Sequence, residues 1–333
     1  MPTTERRPQY TMTPTPSART RAHKDFLSIL DLEPAELERC LSLAAQVKAD
    51  RSLGRNAPTA RALAGRHVAM LFEKSSLRTR STFEVAVREL DGNVLALEPE
   101  AGIGDREPVA DVARNLERWV NAVVIRTFSQ QLLRDFASAA PRLHVINALT
   151  DEEHPCQALA DLLTLREHLG LLKGRTIAYV GDGNNVALSL VQGAAMVGLH
   201  AHVASPDGYQ LPNTAIQQVT EAARHGASLR LFTHAADAVE AVDAVYTDTW
   251  TSMGREVEAP ARRKAFRSYQ VNEILMKAAK PGALFMHCLP AHRGEEVTDD
   301  VIESPVSVVF DQAENRLHVQ KALLLMLLTP TIV

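Results

Sequence analysis

The chain has 333 residues, 46% hydrophobic and 23% charged, with a formal net charge of -4. That is the composition of an ordinary globular protein of one or two domains, and it argues against a nucleic-acid binder, which carries a basic surface. Cys40, Cys156 and Cys288 are too few and too scattered for a disulfide framework or a CxxC metal pair, and no apolar run is long enough to span a membrane, so a reducing compartment, the cytoplasm, is expected.

The N-terminus is rich in Pro, Thr and Arg. Pro2, Pro8, Pro14 and Pro16 spoil an amphipathic targeting helix, so 1–23 is read as a disordered tail. Pro34-Ala35-Glu36-Leu37 opens a helix toward Lys48. The apolar run 67–72 reads as a strand, and a helical pattern starts at 79. Short apolar runs at 93–97, 122–125 and 143–146 alternate with helical patterns at 108–119 and 130–139. This alternation implies a mostly parallel sheet covered by helices.

A second series starts after Leu149. Pro155 suits the first position of a helix running to His168. Strands are predicted at 176–180, 201–204, 229–232, 244–247 and 283–286. The last helix, 312–328, is apolar on several sides. The fold class is therefore α/β, with two domains, each a mostly parallel sheet flanked by helices. The expected domains are 24–150, joined by the returning segment 312–333, and 151–311.

The polar residues gather where these strands end. After the strand at 67–72 come Ser75-Ser76-Leu77-Arg78-Thr79-Arg80 and then a helix. A helix start offers free N–H groups and positive dipole, and Ser76, Arg78 and Thr79 add donors, so a phosphate site without a glycine loop is expected. Arg126 stands at the carboxyl end of a predicted strand, where open sheets bind ligands. His154-Pro155-Cys156-Gln157 opens a helix and puts His154 and Gln157 on one side. Their imidazole and amide suit a carbonyl oxygen and an NH₂ group.

Gly181-Asp182-Gly183-Asn184-Asn185-Val186 lacks the third glycine of a dinucleotide fingerprint, and Asp207 sits in a turn, so a nicotinamide dehydrogenase is a weak rival. Asn184 and Asn185 either hold a polar substrate or fill a turn. Asp248 follows a strand and can meet an amino group, with Ser252 and Gly254 in a loop that could close over it. Cys288 is either a nucleophile or a polar contact. The run from His287 to Glu296 hints at metal, but its spacing fits no common zinc pattern, and no metal or cofactor is expected. Arg316 is a further anion candidate.

Together these segments resemble the aspartate/ornithine carbamoyltransferase family, in the family's order from about residue 24 to the end. Ser76-Leu77-Arg78-Thr79-Arg80 is similar to its carbamoyl phosphate motif. Arg126, His154-Pro155-Cys156-Gln157 and Arg316 match other carbamoyl phosphate positions. Asp248 with Ser252-Met253-Gly254, and His287-Cys288-Leu289-Pro290, are similar to hallmarks of the ornithine-specific branch. The resemblance implies transfer of a carbamoyl group from carbamoyl phosphate to the δ-amine of L-ornithine, in a homotrimer or a multiple of one. It assigns Arg126, His154, Asp248 and Cys288 to catalysis. Ser76, Leu77, Arg78, Thr79, Arg126, His154, Gln157, Cys288, Leu289 and Arg316 go to carbamoyl phosphate, and Leu149, Asn185, Asp248, Ser252 and Met253 to ornithine. Two positions depart from the family. Leu77 replaces a threonine, and Gly102 replaces a glutamine or histidine that reaches the neighbouring subunit's site. Another amine acceptor, such as putrescine or an acylated ornithine, and a non-catalytic binding paralogue are the alternatives.

Overall fold

Alternate burial along the strands builds two parallel sheets around a shared layer of helices. The computed structural model describes residues 24–74, 76–97, 102–252 and 254–329; the tail expected at 1–23 lies outside them. The first series runs α1 (Pro34–Ala49), β1 (His67–Phe72), α2 (Leu77–Glu89), β2 (Asn93–Leu97), α3 (Val109–Trp119), β3 (Ala122–Arg126), α4 (Gln130–Ala139), β4 (His144–Leu149) and α5 (Pro155–Leu169). The second runs β5 (Thr176–Val180), α6 (Asn185–Val197), β6 (His200–Ala204), α7 (Asn213–Ala222), β7 (Leu229–Phe232), α8 (Ala235–Val239), β8 (Ala244–Thr247), α9 (Ala259–Phe266), α10 (Glu273–Met276), β9 (Leu284–His287), α11 (Asp299–Ile302) and α12 (Val309–Leu328).

The sheet orders are β2-β1-β3-β4 and β7-β6-β5-β8-β9, all parallel. In the first sheet Val68, Met70, Ala122 and Val124 point into one apolar cluster, while Ala69, Leu71, Val123 and Ile125 point into another. In the second sheet Ile177, Tyr179 and Tyr246 join that same first cluster, and Ala178, Val180 and Val245 face a third. The shared cluster is filled by α1, α5, α6 and α12. The last helix packs on α5, α1 and α2, so its many apolar faces all find partners.

Each sheet reverses direction once. From β1 the chain goes to β2 on one side and to β3 on the other; from β5 it goes to β6 on one side and to β8 on the other. Ligands of open α/β sheets bind outside the carboxyl ends of strands at such points. Among the described residues no helix is long and apolar enough to cross a membrane.

Several boundaries differ from expectation for local reasons. The helix after β1 begins at Leu77, because Ser76 Oγ accepts from Thr79 N at 3.2 Å and caps it. The strand expected at 143–146 continues to Leu149, since the buried Asn147 amide donates to Leu27 O at 2.8 Å. The last helix gains a turn at its start, and the short α8, α9, α10 and α11 were too brief to show a period.

Candidate active site

Both reversal points open onto one cavity of about 770 Å³. The loops after β1, β3 and β4 line one wall, those after β5, β8 and β9 the other, and α12 contributes from behind.

The first wall is cationic. The half-buried Arg78 lies in the first turn of α2, and burial lowers its pKa. Arg126, the last residue of β3, is brought down to about 10, mainly by burial and then by repulsion from Arg316 and Arg78. Arg316 is buried on α12; its Nη2 donates to Thr79 Oγ1 at 2.5 Å and its Nη1 to Gln157 Oε1 at 2.7 Å. Guanidiniums crowded enough to depress one another mark a place that gains from an anion.

His154, the N-cap of α5, is buried, and its pKa falls well below the ordinary value through burial, then Arg316 and Arg126. It is therefore a neutral imidazole near neutral pH. Its backbone N–H donates to Ser189 Oγ at 2.9 Å, while its Nδ1 has no hydrogen-bond partner among the described residues. Gln157 Nε2 donates to Asp161 Oδ1 at 2.8 Å, and Gln312 Nε2 donates to the same oxygen at 2.7 Å. Burial raises the Asp161 carboxyl to about 7.

The opposite wall centres on Asp248. Its Oδ1 accepts from Cys288 Sγ at 3.0 Å and from Thr249 N at 2.7 Å, and its Oδ2 from Asn184 Nδ2 at 2.9 Å. Burial first, and then Asp248, push the Cys288 thiol well above its ordinary value, so it stays protonated. A protonated thiol bonded to a carboxylate is a positioning donor, which fits the polar-contact reading of Cys288 better than the nucleophile reading. Asp248, His287 and Cys288 also present donor atoms within 4.8 Å of one another, though metal binding there would require the thiol to ionise.

The cavity thus pairs a cluster of arginines with a carboxylate across a cleft between two parallel sheets. Residues 24–167 match the family described as aspartate/ornithine carbamoyltransferase, carbamoyl-P binding domain, and residues 173–327 match its Asp/Orn binding domain. The chain belongs to the aspartate/ornithine carbamoyltransferase family.

Among relatives of this carbamoyltransferase, the ornithine carbamoyltransferase of Symbiobacterium thermophilum is 50% identical over 309 residues, 92% of this chain and 98% of that protein. That of Thermosynechococcus vestitus is 48% identical over 306 residues, covering 92% and 96%. The solved ornithine carbamoyltransferase of Pyrococcus furiosus superposes with a TM-score of 0.87 at 47% identity, covering 91% of this chain and 96% of its own. That of Thermus thermophilus gives 0.83 at 43%, covering 92% and 99%.

The carbamoyltransferase brings nearly every expected site residue to this cavity. Ser76, Leu77, Arg78, Thr79, Arg126, Leu149, His154, Gln157, Asn185, Asp248, Ser252, Cys288, Leu289 and Arg316 all line it. Met253 lies outside the described residues. Asn185 Nδ2 donates to Thr150 O at 2.5 Å and so ties the two walls together. Asn184 is a cap as well as a partner of Asp248, its Oδ1 accepting from Val186 N and Ala187 N at 3.0 and 3.1 Å. Leu77 is 77% exposed at the cavity rim, so its side chain adds no polar contact there. Gly102 does not line the cavity; its N–H donates to Asp105 Oδ2 at 2.9 Å.

Two residues escaped sequence reasoning. Lys74 is buried in the cavity wall, its Nζ 2.6 Å from Asp151 Oδ1 and 3.9 Å from the centre of the Phe128 ring. Its signal was its place just before Ser76. Asp161 lies one helical turn after Gln157, a spacing that could have marked it as that amide's partner.

Proposed function

We propose that this chain is an ornithine carbamoyltransferase, moving the carbamoyl group of carbamoyl phosphate to the δ-amine of L-ornithine to give L-citrulline and phosphate. The carrying observation is Arg78, Arg126 and Arg316 set across one cavity from the Asp248–Cys288 pair. The relatives named above support ornithine as the acceptor.

Carbamoyl phosphate binds to the 24–150 domain, completed by α12. Its phosphate takes the N–H groups at the start of α2, including Leu77 N, with Ser76, Arg78, Thr79, Arg126 and Arg316. Its NH₂ meets Gln157 and the carbonyls of Cys288 and Leu289. Gln157 Oε1 already accepts from Arg316, and an amide oxygen can accept once more. Ornithine binds to the 151–311 domain through Asp248, Asn185, Ser252 and Met253, with Leu149 contacting it from the end of β4. The 248–254 loop then closes and keeps water out.

The attacking amine must be neutral. With a lysine-like pKa, only about one in a thousand is free base at neutral pH. Attack on the carbonyl carbon pushes charge onto the carbonyl oxygen, where Arg126, His154 and Thr79 donate. The C–O bond to phosphate then breaks, and the departing phosphate takes the amine's proton. Cys288 forms no covalent bond. His154 donates as a neutral imidazole, so no proton has to be lost or gained there first.

We further place the protein in the cytoplasm as a homotrimer or a multiple of one, serving arginine biosynthesis. Citrulline formation by the purified protein, measured with ornithine, putrescine and N-acetylornithine in parallel, tests the reading. Turnover with ornithine far above the others is expected. No citrulline, or preference for another amine, would overturn it.

A further inference from the structure

The run from His287 to Glu296 is only partly used by the cavity, which takes Cys288, Leu289 and Pro290. The rest folds back behind β9. Glu296 has no exposed surface. Its Oε1 accepts from His292 N at 2.5 Å and faces His287 Nε2 at 3.2 Å. Because His287 Nδ1 accepts from Leu289 N at 2.8 Å, Nε2 is the nitrogen left to donate to Glu296.

The other oxygen is the anomaly. Glu296 Oε2 is buried and has no hydrogen-bond partner among the described residues. His292 Nδ1 stands 3.7 Å from it. A buried carboxylate oxygen with no hydrogen-bond donor and only an imidazole nitrogen at 3.7 Å is costly. A His292 ring nitrogen, a Glu295 oxygen and a Glu296 oxygen all lie within 4.8 Å of one another. Donors bound to one divalent ion at about 2.0–2.2 Å sit roughly 3.3–3.6 Å apart in a tetrahedron. The 3.7 Å separation is already close to that.

We propose that His292, Glu295 and Glu296 form a site for a zinc-class divalent cation. One imidazole with two carboxylates suits zinc better than magnesium or calcium, which prefer all-oxygen shells. Water completes the shell. The half-exposed His292 side chain leaves a way in. Arg263 holds Glu295 Oε1 at 2.9 Å, which leaves the second Glu295 oxygen for the ion. Arg293 is turned to Asp299 and Glu303 at 2.8 and 2.5 Å, so it does not neutralise the cluster. The bound ion pins the loop that continues from Leu289 and Pro290 at the cavity wall. Any effect of the ion on turnover rests on the function proposed above; its binding does not.

Titration calorimetry with zinc chloride on chelator-treated protein tests the site. The experiment uses Cys288→Ser protein, to remove the thiol of the Asp248 cluster. One ion per chain and a zinc-dependent rise in melting temperature are expected. Adding His292→Ala or Glu295→Gln removes a direct ligand and should weaken binding by more than the roughly 10-fold to 100-fold that loss of an outer-shell partner costs. Both side chains are partly exposed, so neither change threatens folding. No zinc binding by Cys288→Ser protein, or binding undiminished by His292→Ala, would overturn the proposal, whatever the citrulline assay shows.

Discussion

The thiol of Cys288 lies 3.0 Å from Asp248 Oδ1, a contact between the ends of the neighbouring strands β8 and β9. The carboxylate stabilises the proton on sulfur, and the sulfur orients the carboxylate. Cys288→Ser keeps an O–H donor and should retain most activity, whereas Cys288→Ala should lose about tenfold through a misoriented Asp248. Initial rates with ornithine check this. With its pKa pushed well above the ordinary thiol value, Cys288 should also react slowly with iodoacetamide at pH 8.

Arg78 is the one arginine of the cluster that is only half-buried. Its removal leaves no large void. Arg78→Ala should fold normally yet lose about 10²–10³ in turnover, the scale of deleting one strong donor at a developing charge. Circular dichroism and citrulline assays check the two halves. Wild-type turnover would refute its role.

Asp161 provides a pH test. Its folded-state pKa is raised from 3.8 to about 7, with burial the main cause. The folded protein therefore holds this proton more tightly than the unfolded chain. Stability from that proton is complete below about pH 4 and is lost as pH rises toward 7. Asp161→Asn keeps an acceptor for Gln157 and Gln312 but cannot ionise. Relative to wild type it should gain stability between about pH 4 and 7, by a few kcal/mol at most, and hold that advantage above. Urea unfolding across this range checks the slope.

Gly183 has no room for a side chain. A Cβ there would stand 2.4 Å from Leu211 N and 2.5 Å from Gln210 C, both backbone atoms. Gly183→Ala should cost about 2–4 kcal/mol and displace Asn184 from Asp248. Urea midpoints and the KM for ornithine report the two effects.

The glycine shows what the sequence could and could not disclose. The Gly181-Asp182-Gly183 run looked like part of a nucleotide fingerprint, but Gly183 answers to the backbone at 210–211, beyond the next strand. The alternating strands and helices were legible because buried parallel strands read as short apolar runs. Arg126, Asp248 and Cys288 were legible because each stands at a strand end. Asn147 was not, because a polar residue interrupts an apolar run while its partners Leu27 and Gln130 are remote in sequence. The neutral state of His154 was hidden for the same reason. It depends on burial and on Arg316, which a different helix delivers.

The bond from Arg316 to Thr79 spans 237 positions. At about 5–20 residues per second, a ribosome makes Arg316 roughly 12 to 50 seconds after Thr79. A nascent chain carrying only the first sheet would hold Arg78 and Arg126 without the helix that closes the ring behind them. Competence to grip an acyl phosphate would then arrive all at once, when α12 docks, so half-made chains would not sequester a labile metabolite.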